Sequence, residues 1–390
     1  MRFDAIIIGA GPAGSAAATL LARAGWRVAL VERKSFPRRK VCGEFISGAS
    51  LPVLQSLGIW DDYCGAAGPE IRRVGLFAGR AAIDTAMPPA VNDFGWGRAL
   101  GRDRLDELLR DAAEHAGATV FQPCDVASIR RGGETHVCTL SDGRQGDIAA
   151  PLLLAANGSW ERSVFDREKS AVHGSDLLAF KARFENARLP SDLMPLLAFP
   201  GGYGGLVTSD SGLVTLSCCV RHDELLKIRR RHPMPHAGDS VLRHICEFNE
   251  PARDALASAK KENSWLAAGP IRPGIRVSPF DRVFRLGNAA GEAHPAIAEG
   301  ISMALQSAQM LTRMLVARQE DVFSLAGQDD AAKSWASLWR QAFAFRIRAA
   351  AIIARLSMSP RATALLPVIT RFPRTLSFGA HLAGKARSAV

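Results

Sequence analysis

Phe3-Asp-Ala-Ile-Ile-Ile-Gly-Ala-Gly-Pro-Ala-Gly14, an alanine-rich run to Ala24, and then Arg27-Val-Ala-Leu-Val31 stopping at Glu32: this stretch decides how the rest of the chain is read. Its order is strand, glycine turn, helix, strand, acid. Gly9 and Gly11 leave room for a tight turn and let backbone N–H groups approach a pyrophosphate, and Gly14 lets the helix press on the sheet. Pro12 suits a first helical turn, where its missing N–H is no loss. The helix start then presents unpaired donors and the positive end of its dipole to phosphate. Glu32 follows Gly14 by 18 residues, close to the roughly 20 expected of the carboxylate that takes ribose hydroxyls. The stretch therefore predicts a dinucleotide site built from Gly9, Ala10, Gly11, Pro12, Ala13, Gly14, Glu32 and Arg33.

Around this nucleus lie 390 residues, enough for two or three domains. With 47% apolar and 22% charged residues the chain is a folded globular protein rather than a disordered one. It opens straight into a strand pattern with no charged, apolar and cleavable leader, so a cytoplasmic setting is expected. The seven cysteines form no Cys-x-x-Cys pair and read as reduced thiols. His232, His236 and His244 are irregularly spaced beside Pro233 and Pro235, which predicts a surface loop and no metal. The net charge of +11 is unevenly placed, because no acid follows Asp330 whereas ten Lys and Arg do. The last 60 residues thus carry +10, which implies an anionic neighbour, either membrane or nucleic acid.

After Glu32 comes a polar, irregular loop through Lys40-Val-Cys-Gly-Glu44, in which Cys42 and Gly43 alone say little. Residues 71 to 98 read as short strands crossing to another sheet. Asp103 looks like an N-cap, with Arg102 just outside a helix that Gly117 stops. Strands follow near 119–124, 125–130, 135–140 and 151–156. From about 169 to 280 the alternation of strands and Gly/Pro turns predicts an inserted antiparallel sheet. Val283 to Leu286 returns to the first pattern as a strand, before the small-residue loop Gly287-Asn288-Ala289-Ala-Gly291 and a long helical run after Pro295. From Trp335 the pattern is an amphipathic helix, aromatic and apolar on one stripe and arginine on the other. No apolar run reaches the 18 or so residues that span a bilayer.

Three of these stretches together resemble the p-hydroxybenzoate hydroxylase-type FAD fold, which includes aromatic monooxygenases, flavin-dependent halogenases and geranylgeranyl reductase-like proteins. They are Gly9 to Gly14 with Glu32-Arg33; Lys40-Val-Cys-Gly-Glu44; and Gly287-Asn-Ala-Ala-Gly-Glu-Ala-His-Pro295 with Glu299-Gly300-Ile301. Arg102 to Asp106 is similar to that family's Arg-x-x-Leu-Asp. The resemblance implies an α/β Rossmann-like FAD-binding domain (1–168 and 281–330, with strands near 71–98 lent to the other sheet). It also implies an antiparallel substrate domain at 169–280 and a basic helical segment at 331–390. Gly9, Gly11, Gly14 and Glu32 would hold the ADP half of FAD. Arg102 would reach the cofactor, Cys42 and Gly43 would lie near the isoalloxazine, and Pro295, Gly300 and Ile301 would pass under its ring. Cys42 is the candidate for catalysis. Two motifs depart from the family's pattern. Asn288 replaces the usual Asp near the ribityl chain, and Asn157-Gly-Ser-Trp-Glu-Arg162 stands where an Asp-Gly motif tied to pyridine nucleotide would be, so NAD(P)H as reductant stays open.

The expectation is an FAD-dependent oxidoreductase, foremost a monooxygenase hydroxylating a hydrophobic aromatic or polyketide-like small molecule. The enzymatic alternative is a reductase saturating isoprenoid double bonds. A third reading is a flavin-containing protein whose basic tail works at a membrane surface. Nucleic acid is disfavoured, because the tail contains no recognisable module and its apolar stripe is wide.

Overall fold

The computed structural model describes residues 1–90, 94–141, 146–159, 164–165 and 171–359. Its first layer is a parallel sheet of β1 (Ala5–Ile8), β2 (Val28–Val31), β3 (Thr119–Phe121), β4 (Leu152–Ala155) and β5 (Val283–Arg285), in spatial order β5-β4-β1-β2-β3. Ala5 lies opposite both Leu152 and Val28, so β1 is central. All four residues in each of β1, β2 and β4 are buried, as parallel strands covered on both faces require.

Helices close one face of that sheet. α1 (Pro12–Arg23) leaves the glycine turn, α2 (Arg102–His115) follows the second crossing, and α3 (Gly300–Val316) follows the Gly287 loop. Small residues set the spacing, since a Cβ on Gly287 would sit 3.1 Å from that of Ala13 and 3.4 Å from that of Ala304. The α1 and α3 helices therefore both pack against the same loop at Gly287. A 34-residue helix, α4 (Leu325–Met358), starts with the Ser324 hydroxyl accepting from the Gly327 N–H at 3.1 Å. Trp335, Trp339 and Phe343 of α4 are at most 1% exposed and join the core of the first layer.

The second layer is a large twisted sheet ordered 260–261, 177–185, 214–221, 202–208, 193–199, 73–78, 81–86, with 266–271 pairing the 177–185 strand. Strands 73–86 thus belong to this sheet, as the broken pattern of residues 71 to 98 predicts. A separate three-stranded sheet, 126–132, 135–140 and 147–150, hangs below β3 and β4.

Several expectations need correction. The inserted sheet is antiparallel within itself, as expected, but its strand 193–199 also runs parallel to 73–78, a strand from outside the insertion. It also carries three helices, His222–Arg231, Ala237–Phe248 and Glu250–Leu256, whose short, charged sequences hide their apolar stripes of Leu225, Ile228, Val241 and Ile245. His244 lies on one of those helices, buried, with Nε2 2.9 Å from the Pro200 carbonyl. Its neighbours His232 and Glu247 are close enough to share a ligand, but Arg231 already pairs with Glu247, and we assign no ion there. Arg102 opens α2 instead of preceding it, with Gly101 as the cap. The last helix begins ten residues before Trp335, at Leu325. Residues 360–390, half of the basic end, lie outside the described residues.

Candidate active site

Between the two layers lies a cavity of about 490 Å³, open at one side and mostly apolar. Its floor is the glycine turn. Gly9 has φ +102, and a Cβ there would come within 2.6 Å of the Ala156 carbonyl oxygen, so the turn closes only with glycine. A Cβ on Gly14 would overlap the Gly9 oxygen. Gly11 differs, because a Cβ would meet nothing nearer than Arg102 Nη2 at 3.7 Å and would project into the cavity. Pro12, Ala13 and Arg33 also line it, whereas Ala10, Gly14 and Ala289 do not. Those three shape the site from behind: the Ala10 N–H donates to Glu32 at 2.9 Å, Gly14 packs on the turn, and Ala289 is buried in the loop.

Glu32, 4% exposed, is fixed by the Ala10 and Lys34 N–H groups, each at 2.9 Å. Its carboxylate faces the cavity mouth at the end of β2. Arg102 is buried and makes a two-pronged pair with Asp106, both N–O distances 2.8 Å. Burial works against its charge, but Asp106 and the Cys42 sulfur more than offset this and hold its pKa above the usual value. Arg102 therefore stays charged at the cavity wall, as one half of an ion pair with Asp106.

The second loop brings Cys42 and Gly43 to the cavity and turns at Glu44, a left-handed residue with φ 65. Gly43 has no atom within 4 Å of where a Cβ would lie, and neither has Gly300 at the start of α3. The third stretch supplies Gly287, Asn288, Pro295, Gly300 and Ile301. Asn288 donates Nδ2 to Glu292 Oε1 at 3.1 Å, which leaves its Oδ1 as an acceptor. Across from it Ser159 donates to the other Glu292 oxygen at 2.8 Å. Asn157 Oδ1 is buried without a hydrogen-bond partner. The rest of the Asn157–Arg162 motif from Trp160 lies outside the described residues.

Three cradles, then, meet in one cavity: an open glycine turn under a helix start, a fixed acid at the end of the next strand, and empty space over Gly43 and Gly300. An adenine dinucleotide carrying a large flat ring fits them, and the orphaned Asn157 oxygen suits its hydroxylated linker. A family model described as an FAD binding domain matches residues 2–209. The chain belongs to that family. This family member is an FAD-dependent oxidoreductase with FAD as its cofactor. It is 26% identical over 380 residues to a menaquinone reductase of Mycobacterium tuberculosis, covering 92% of this chain and 85% of that protein. Among solved structures it shares its fold with the flavin-dependent brominase Bmp2, at TM-score 0.75 and 16% identity over 99% of this chain and 94% of the other. PqsL, a probable FAD-dependent monooxygenase from Pseudomonas aeruginosa, aligns at TM-score 0.74 and 17% identity over 93% and 99% of the two chains.

Sequence reasoning missed one part of the site and anticipated another, the basic helix as a lid on a hydrophobic pocket, without its position. Tyr203, 1% exposed, places its hydroxyl 3.2 Å from His294 Nδ1, and both line the cavity. Burial, reinforced by nearby Arg355, lowers the His294 pKa to about 4, so the ring is neutral at pH 7. Burial raises the Tyr203 pKa well above its ordinary value. The other is the end of α4, where Ile353, Leu356 and Ser357 close the cavity over Val74, Leu76 and Leu196. The helical period and its two stripes predict this helix as a pocket lid, but not which turn meets the cavity.

Proposed function

We propose that this oxidoreductase is a monooxygenase that hydroxylates a hydrophobic aromatic molecule bearing a ring hydroxyl. The observation that carries the reading is the Tyr203–His294 pair, a neutral acceptor and a buried hydroxyl in a cavity otherwise walled by Val74, Leu76, Met194, Leu206 and Ile353. The Tyr203 hydroxyl, hydrogen-bonded to the neutral His294 Nδ1, is positioned to accept in turn from a ring hydroxyl and hold the ring in one orientation for oxygen insertion. The aliphatic walls accept the rest of the molecule and keep water out.

In this reading the backbone N–H groups at Gly11 and the start of α1 hold the FAD pyrophosphate, and Glu32 takes ribose hydroxyls. Arg33 flanks the adenosine, Arg102 supplies fixed positive charge, and Asn157 and Asn288 accept from the linker hydroxyls. Pro295, Gly300 and Ile301 lie against the ring, where the start of α3 stabilises negative charge. When bound and reduced, FAD activates molecular oxygen; the electrons come from NAD(P)H or a separate reductase. Cys42, beside Arg102, lines the cavity together with Cys218 and Cys219.

A second reading, reduction of an isoprenoid double bond, is favoured by the similarity to the menaquinone reductase over 92% of the chain. One experiment separates the two. Oxygen uptake stoichiometric with a product heavier by one oxygen atom supports hydroxylation. Anaerobic turnover to a product heavier by two hydrogens supports reduction and rejects the first reading.

A further inference from the structure

The outer face of α4 has a pattern that its core packing does not explain. Leu338, Phe345, Ile352 and Leu356 are 36, 59, 59 and 48% exposed. At 100° per residue they fall within roughly 40° of arc, one narrow ridge along five turns. Arg348 and Arg355, both exposed, run along one flank of that ridge. The opposite side of α4 carries the buried Trp335, Trp339, Phe343, Ala350 and Ala354, so the ridge is surplus to the fold.

We propose that this ridge docks on an anionic lipid bilayer, with the four apolar side chains entering the headgroup boundary and the arginines meeting lipid phosphates. Charge complementarity argues for the occupant, because no acid follows Asp330 and ten basic residues do, which repels any cationic surface and favours an anionic one. The apolar ridge selects lipid over nucleic acid, whose phosphates make no use of exposed Phe345 and Ile352. A second observation joins the ridge to the site. Leu356 is both half-exposed on the ridge and part of the cavity wall, beside Ile353 and Ser357. The docked face thus adjoins the turn that closes the cavity, so displacing that turn at the bilayer would pass a lipid-dissolved substrate from acyl chains to aliphatic wall.

Docking needs nothing from the proposed reaction; only the entry route rests on it. The test uses full-length, FAD-loaded protein and large vesicles of phosphatidylcholine, with or without phosphatidylglycerol, sedimented at low and at physiological salt. Phosphatidylglycerol vesicles should capture the protein, salt should weaken the capture, and neutral vesicles should leave it in solution. Phe345→Glu with Ile352→Glu should cut the bound fraction about tenfold, and Arg348→Glu should cut it less, with flavin content and melting temperature unchanged. The proposal is overturned by indifference to anionic vesicles, by wild-type binding in the double variant, or by capture on RNA in their place. A failed hydroxylation assay beside positive sedimentation would remove the proposed reaction and leave the docking standing.

Discussion

Glu44, at the left-handed end of the Cys42-Gly43 loop, receives the ammonium of Lys181 from the far sheet, and both side chains are essentially inaccessible to water. Arg183 adds a second contact at 3.0 Å and the Thr215 hydroxyl a third at 2.5 Å. The loop that borders the cavity is thereby fastened to strands 177–185 and 214–221. Removing the carboxylate leaves the buried Lys181 ammonium without its counter-ion, while Arg183 keeps Asp210 at 3.0 Å, so Glu44→Ala should destabilise the fold by about 3–5 kcal/mol, the usual cost of breaking a buried pair. Lys181→Met combined with Glu44→Ala should recover part of the loss, and a double variant no more stable than the single one would contradict this account.

The same carboxylate sets an acid limit. Burial alone would raise its pKa, but Lys181 and Arg183 outweigh that and hold it below the ordinary 4.5. A lowered folded-state pKa means that the stabilisation is complete above about 4.5 and fades as pH falls through the lower folded value. In a urea series the gap between wild type and Glu44→Gln should therefore be constant from pH 7 to 5 and narrow below 4.

His294 acts with the opposite charge logic over a higher range. Its pKa falls from 6.5 to about 4, so the unfolded chain binds the extra proton between those values and stability drops as pH is lowered from 6.5 toward 4. His136, lowered to about 4 by burial and Arg131, contributes to the same window. Replacing His294 by Gln should flatten part of that slope while sparing flavin content. In turnover, the variant should raise KM for ring-hydroxylated substrates, because the Tyr203 hydroxyl loses the partner that orients it. An unchanged KM would reduce His294 to a packing role.

The glycine turn gives two contrasting outcomes. Gly11→Val projects into empty cavity and should weaken FAD binding by about tenfold or more with the fold intact. Gly14→Ala forces its methyl onto the Gly9 oxygen and should cost the fold itself. Flavin absorbance and melting temperature, measured on both, distinguish the residues that face the cofactor from those that shape the turn.

That distinction marks the limit of what sequence conveys here. The strand, turn, helix and acid of residues 3–32 are local, so spacing alone locates them, and Gly287 to Ile301 repeats the same logic. Tyr203 and His294 are 91 residues apart, and only the crossing of two layers sets them 3.2 Å from one another. The helices of 222–256 are short, and in His222–Arg231 six charged residues surround only two buried ones, so their apolar period is weak. Glu44 lies in a local motif, but its partners Lys181 and Arg183 are 137 and 139 residues away, on a strand that only the fold brings to it.

The end of α4 supplies the last prediction. Cutting the chain after Asp330 would remove Trp335, Trp339 and Phe343 from the main core, so it cannot isolate the cavity wall; point changes in the final turn can. Ile353 is partly buried and faces the cavity, and Ile353→Trp adds bulk where the aliphatic part of a substrate is proposed to lie. The variant should raise KM for long-chain aromatic substrates while leaving kcat for a short analogue and the flavin spectrum near wild type. The contrast arises because lost room acts on binding equally in ground and transition states, whereas a displaced flavin would lower kcat for every substrate. Equal KM increases for short and long substrates would place the chain-binding region away from α4 and detach the helix from substrate selection.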